Sequence, residues 1–125
     1  MWNAPSSADA WTATSHCSCN GAPGALTARL CEQLGYDGGY LGGGGLGYSM
    51  AVSEALLTLT ELATTAWQIR RRSRLPLIAD GNVGFGDAIH VAGMVRELEH
   101  AGVHAIELED RSPRNGRATT ATSST

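Results

Sequence analysis

An α/β fold with parallel strands is predicted by three features between Leu75 and Asp110. Leu75-Pro-Leu-Ile-Ala-Asp80 is a short apolar run ending on a carboxylate, as a buried parallel strand reads when it delivers an acid at its C-terminal edge. Ala88 to Ala101 sets Val91, Met94, Val95 and Leu98 at i, i+3, i+4, i+7 spacing, with Arg96, Glu97, Glu99 and His100 on the wet side. Ala105 to Glu109 is a second short strand that also finishes on acids. Two strands joined by one helix within roughly thirty residues make a βαβ unit whose strand ends point the same way. Asp80, Glu109 and Asp110 are therefore expected to meet at one rim.

The connections support this reading. Gly81, Gly84 and Gly86 give a loop that can take positive φ and approach a ligand closely. Asp87 is an N-cap candidate for the following helix, and Gly102 stands where a helix stops.

The chain before Leu75 carries weaker signals. Residues 1–20 are rich in Ser, Thr, Ala and Asn without sustained periodicity, and are expected to be irregular. His16-Cys17-Ser18-Cys19 suggests a soft-metal site, but no second Cys/His pair follows at zinc-finger spacing. Ala25 to Leu34 reads as a helix with Leu26, Leu30 and Leu34 on one face and Gly35 as its stop. Gly42 to Gly45 reads as a glycine tract whose amides could form an anion-binding concavity. Thr58 with Glu61 fits a capping box for a helix burying Leu62, Ala66 and Ile69, and Arg70, Arg71, Arg72 and Arg74 close it as a solvated basic end.

Bulk properties narrow the function classes. A net charge of −3 gives no electrostatic case for nucleic acid or an anionic membrane. No segment approaches the ~20 apolar residues of a transmembrane helix. The start lacks the basic and apolar regions of a secretory signal, and three cysteines suit a reducing interior, so a cytoplasmic location is expected. Ala118 to Thr125 has too few apolar groups to pack and is read within a disordered tail, 113–125.

Asp80-Gly-Asn82-Val-Gly84-Phe85-Gly86 followed one helix later by Glu109-Asp110 resembles the isocitrate lyase/phosphoenolpyruvate mutase superfamily, as do Gly21 to Leu30, Gly35 to Leu41 and Leu57 to Glu61. The resemblance implies a (β/α)₈ TIM barrel. Such a barrel takes about 250 residues, so residues 21–112 are expected to form its first four βα units. It implies Mg²⁺ as cofactor, with Asp80, Asn82 and Glu109 as metal ligands and Asp80 and Glu109 as catalytic groups. It assigns substrate binding to Tyr40, Gly42, Gly43 and Gly44. Three departures stand out: Gly42 replaces the family's hydroxyl residue, Asn82 replaces its second Asp, and Arg111 to Arg117 lacks the Cys and His of the lyase loop.

The implied activity is a Mg²⁺-dependent carbon–carbon lyase acting through an enolate on a small 2-oxo or 2-hydroxy carboxylate, methylisocitrate lyase-like or oxaloacetate decarboxylase-like. Alternatives are a catalytically inactive fragment or half-barrel, and phosphonate-type C–P chemistry. The expected partners are a small carboxylate substrate and further copies of the chain in a homo-oligomer.

Overall fold

The computed structural model describes residues 16–110. Four short strands, β1 (Cys19–Gly21), β2 (Gly38–Leu41), β3 (Leu77–Asp80) and β4 (Ala105–Glu107), form one sheet in the order β1-β2-β3-β4. Every neighbouring pair is parallel, with Gly21 opposite Tyr40, Tyr40 opposite Ile78, and Asp80 opposite Glu107. Helices α1 (Ala25–Gln33), α2 (Gly43–Met50), α3 (Leu59–Arg70) and α4 (Ala88–His100) fill the crossovers, with a 3₁₀ turn at Glu54–Leu56.

Parallel pairing of consecutive strands puts all C-terminal ends at one edge, and pleating divides the side chains between two faces. Leu41, Leu77 and Ala79 face the helices and are fully buried with Leu62, Ala66, Ile69, Met94 and Leu98. Tyr40, Ile78, Asp80, Ala105 and Glu107 alternate with them and are half-buried or exposed. One face of the sheet thus carries the core, and the other is left open.

Several elements form for the reasons their sequences suggest. Thr58 caps α3 by accepting from Glu61 N, and the Glu61 carboxylate accepts from Thr58 N at 2.8 Å. Asp87 caps α4 by accepting from Ile89 N and His90 N. Gly102, at φ +88°, follows α4 in the left-handed conformation that ends helices. The basic end of α3 is not uniformly solvated. Arg70 is half-buried and donates to the carbonyls of Ser73 and Leu75, whereas Arg71 lies over the Trp67 ring at 4.4 Å.

Three expectations need correction. The sheet begins at Cys19, two residues inside the segment expected to be irregular, because Cys19 and Asn20 pair with Gly38 and Gly39. The strand expected at Ala105–Glu109 ends at Glu107. The leucine stripe of α1 faces outward, with Leu26 and Leu34 about three-quarters exposed (76% and 75%). Ala28 and Cys31 are buried instead. The helix thus packs through its small side chains and turns the large ones away from the core. The expected tail, 113–125, lies outside the described residues.

His104, just before β4, gives the fold a pH dependence. Leu77 N donates to its Nδ1 at 3.1 Å, which requires that nitrogen to be unprotonated. Burial, then the Arg70 charge, lowers its pKa from the ordinary 6.5. The unfolded chain therefore binds the proton more readily, and stability falls as pH drops below about 6.5 toward the folded value. The thermal midpoint is expected to fall by a few degrees between pH 7 and pH 5. His104→Asn keeps an acceptor for Leu77 N and should flatten that slope; an unchanged slope assigns the effect elsewhere.

Candidate active site

Asp80 closes β3 and is half-buried at the C-terminal edge. Its Oδ1 accepts from Asn82 N at 2.8 Å and its Oδ2 from Gly43 N at 3.3 Å. Gly43 is the first residue of α2, so a carboxylate stands at the positive end of a helix, where anions are favoured. The glycine run is therefore not a loose tract. Gly42 is the N-cap, and Gly43, Gly44 and Gly45 form the first turn of α2.

Two of those glycines make room for a second acid. A Cβ on Gly43 would stand 2.9 Å from Glu54 Cγ, and one on Gly47 would stand 2.7 Å from the Val52 carbonyl oxygen. The 3₁₀ turn can thus lie against the helix and bring Glu54 to Asp80's side. Gly43, Glu54, Asp80, Asn82 and Phe85 line a cavity of about 340 Å³. This lies at the lower end of the ~300–1,000 Å³ typical of small-molecule sites.

The loop after β3 is wound tightly. Asn82 and Phe85 take left-handed φ values of +49° and +61°, and Gly84 takes +93°. Asn82 tolerates this because its own side chain turns back to accept from Val83 N at 2.7 Å. The winding brings the Asn82 amide to Asp80 and the Phe85 ring to the cavity wall.

Tyr40 lies on the open face and donates from its hydroxyl to Glu107 Oε2 at 2.8 Å. Burial, then the Glu107 bond and the Asp80 and Glu107 charges, push its pKa well above the usual phenol range, so it stays protonated at neutral pH. Its ring lies over Gly42, where a Cβ would come within 2.7 Å of Cε1.

A profile of the phosphoenolpyruvate phosphomutase family matches residues 22–125. The chain belongs to the isocitrate lyase/phosphoenolpyruvate mutase superfamily. Among curated relatives, it is 44% identical over 87 residues to an oxaloacetate decarboxylase of Paraburkholderia xenovorans, which covers 68% of this chain and 29% of that one. It is 44% identical over 94 residues to a 2-methylisocitrate lyase of Aeropyrum pernix, covering 72% and 30% respectively. Among solved structures, a phosphonopyruvate hydrolase in complex with oxalate and Mg²⁺ overlays at TM-score 0.79 with 33% identity, over 83% of this chain and 37% of that one. The chain thus spans about 30% of the length of these curated relatives, and its sheet is part of a TIM barrel.

The superfamily's motif residues do not all converge. Asp80 and Asn82 line the cavity, and Gly43 borders it. Gly44 lies beside Glu54, Gly42 caps the helix, and Tyr40 sits on the open face beside Asp80 and Glu107. Glu109 is not on the cavity wall. It follows β4, is exposed, and donates its backbone N–H to the Asn82 carbonyl at 2.8 Å. Two acids take prominent places instead. Glu54 faces the cavity from the 3₁₀ turn, a place that no motif around it in the sequence marks. Glu107 stands opposite Asp80 as the last residue of β4, and the strand expected at Ala105–Glu109 already held it on the same parity as Glu109.

Among the described residues, no group of three or more His, Cys, Asp and Glu forms a metal cluster. The cavity donors are two carboxylates, Asp80 and Glu54, and the Asn82 carboxamide, all oxygen. That set fits magnesium, which binds through one or two carboxylates and keeps several waters. It does not fit a cation that needs a full protein cage. Arg111 to Arg117, the segment read as lacking the Cys and His of the lyase loop, lies outside the described residues.

Proposed function

We propose that this chain contributes the first part of a Mg²⁺-dependent lyase site for a small 2-oxo or 2-hydroxy carboxylate. The carrying observation is Asp80, presented at the end of a parallel strand with both oxygens held by backbone amides and Glu54 beside it. The names of its relatives support the substrate class: one decarboxylates oxaloacetate, another cleaves 2-methylisocitrate. Bound magnesium supplies positive charge where negative charge develops on the substrate's oxygens.

The chain's own residues do the positioning. Asp80 and Glu54 would hold the cation, directly or through its waters, and the Gly43 and Asn82 amides fix which way Asp80 points. In the first turn of α2, the amides of Gly44 and Gly45 have no helical carbonyl to bond. They are suited to a substrate carboxylate. Tyr40, whose one hydroxyl proton goes to Glu107, offers an oxygen acceptor on the same side as Asp80, and Phe85 walls the cavity against water.

Turnover tests this directly. Release of a 2-oxo acid from oxaloacetate, 2-methylisocitrate or 2,3-dimethylmalate is expected with Mg²⁺ and not with EDTA. Absence of product from all of them at high protein concentration would remove the catalytic reading for this chain alone. Phosphonopyruvate belongs in the same panel, because a phosphonopyruvate hydrolase overlays at least as well as a 2,3-dimethylmalate lyase does. Static light scattering on the same samples tests the homo-oligomer, with a single-chain mass counting against it.

A further inference from the structure

At the edge of the sheet opposite the acidic rim, two thiols lie side by side where the chain enters β1. Cys17 Sγ and Cys19 Sγ are 3.6 Å apart, and both residues are exposed. Their backbone is held in place. Ser18 N donates to Asp37 Oδ2 at 2.9 Å, Asp37 N donates to the Ser18 carbonyl at 2.9 Å, and Cys19 pairs with Gly38. A Cβ on Gly38 would stand 2.9 Å from Cys19 Sγ, so the glycine leaves the space that the sulfur uses. A zinc site at His16-Cys17-Ser18-Cys19 gains no support, because no third Cys, Asp, Glu or His completes a cluster among the described residues. What is left is an accessible dithiol on an anchored backbone.

We propose that Cys17 and Cys19 are a redox-active pair that closes to an intrachain disulfide by exchange with a small-molecule disulfide of the glutathione type. The Cys17 thiolate attacks one sulfur of oxidised glutathione, and the first glutathione leaves as a thiolate that takes up a proton. Cys19, deprotonated in turn, attacks the Cys17 sulfur of the mixed disulfide and expels the second glutathione. Two protein thiols and one glutathione disulfide become one protein disulfide and two glutathione thiols, so two electrons pass to glutathione. Burial, followed by the Cys17 hydrogen bond and nearby charge, pushes the Cys19 thiol up to about 11, which suits Cys19 to the second, intramolecular step.

The bridge is built to be reversible. Residues two apart in extended chain point to one side, with Cα atoms roughly 6.6 Å apart. That lies within the ~4.4–6.8 Å that disulfides span, and a bridge between two exposed residues is open to reduction. Cys31 is buried and stays outside the exchange.

The folded chain is equilibrated with glutathione buffers of rising oxidised fraction, quenched with an alkylating agent, and read by mass spectrometry after unfolding. Wild type is expected to lose two alkylatable thiols together, carry no glutathione adduct, and yield one peptide with Cys17 bridged to Cys19. Cys17→Ser should instead trap one glutathione on Cys19, and Cys19→Ser one on Cys17. A wild type that carries glutathione on both cysteines overturns the proposal. So does a bridge to Cys31, or three alkylatable thiols at oxidised fractions that load the single variants.

Discussion

Asp80→Ala is expected to abolish the response of this chain to Mg²⁺ and oxalate. A ligand that binds only the folded state raises the thermal midpoint by mass action, and Asp80 is the carboxylate that joins the β3 loop to the start of α2. Removing groups that merely orient a metal ligand costs 10–100-fold in affinity. Loss of the ligand itself should cost on the order of 100-fold or more, and any turnover should fall at least as far. The alanine also strands the Gly43 and Asn82 amides, so part of its effect is structural. Asp80→Asn separates the two, because a carboxamide keeps an acceptor for Asn82 N while losing the charge. Asparagine should fold near the wild-type midpoint yet remain blind to Mg²⁺. A full ligand shift in Asp80→Asn would place the cation elsewhere.

Gly84→Ala is the substitution expected to damage the fold most. Its backbone sits at φ +93°, and an added Cβ would lie 2.3 Å from Val91 Cγ2 on α4. Left-handed backbone costs a side-chain-bearing residue roughly 1–2 kcal/mol, and overpacking a fitted contact adds roughly 1–3 kcal/mol. A destabilisation of about 2–5 kcal/mol is expected by chemical denaturation. Gly84→Ala with Val91→Ala should recover the overpacking part, relative to Val91→Ala alone, and leave the backbone part. A Gly84→Ala variant as stable as wild type would mean that the loop can unwind without loss.

Much of this was legible in the sequence, because it rests on local chemistry. Asp80 ends an apolar run. Thr58–Glu61 and Asp87 carry their caps within three residues, and Gly102 marks its own stop. What escaped depended on partners far along the chain. Leu26, Leu30 and Leu34 form a sound helical stripe, yet the face that packs carries Ala28 and Cys31, and only the core it meets decides that. The run from Gly42 to Gly45 has the composition of a loop, and became helix where Asp80, 37 residues on, meets the Gly43 amide. Glu54 reached the cavity through the missing side chains of Gly43 and Gly47. Tyr40 and Glu107 are 67 residues apart and meet only because β2 and β4 flank β3.

The composition of α2 sets when the cavity exists. Four of its eight residues are glycine, each roughly 1 kcal/mol worse than alanine in a helix. Such a segment has little tendency to coil by itself, and its shape depends on the Asp80 loop and the Glu54 turn that flank it. Its amides should exchange with deuterium well before those of α3, whose cap and buried face are its own. The cavity would then open and re-form on a timescale of its own while the rest of the sheet stays shut, and a ligand gripping Asp80 would slow exchange first at Gly43 and its helical neighbours.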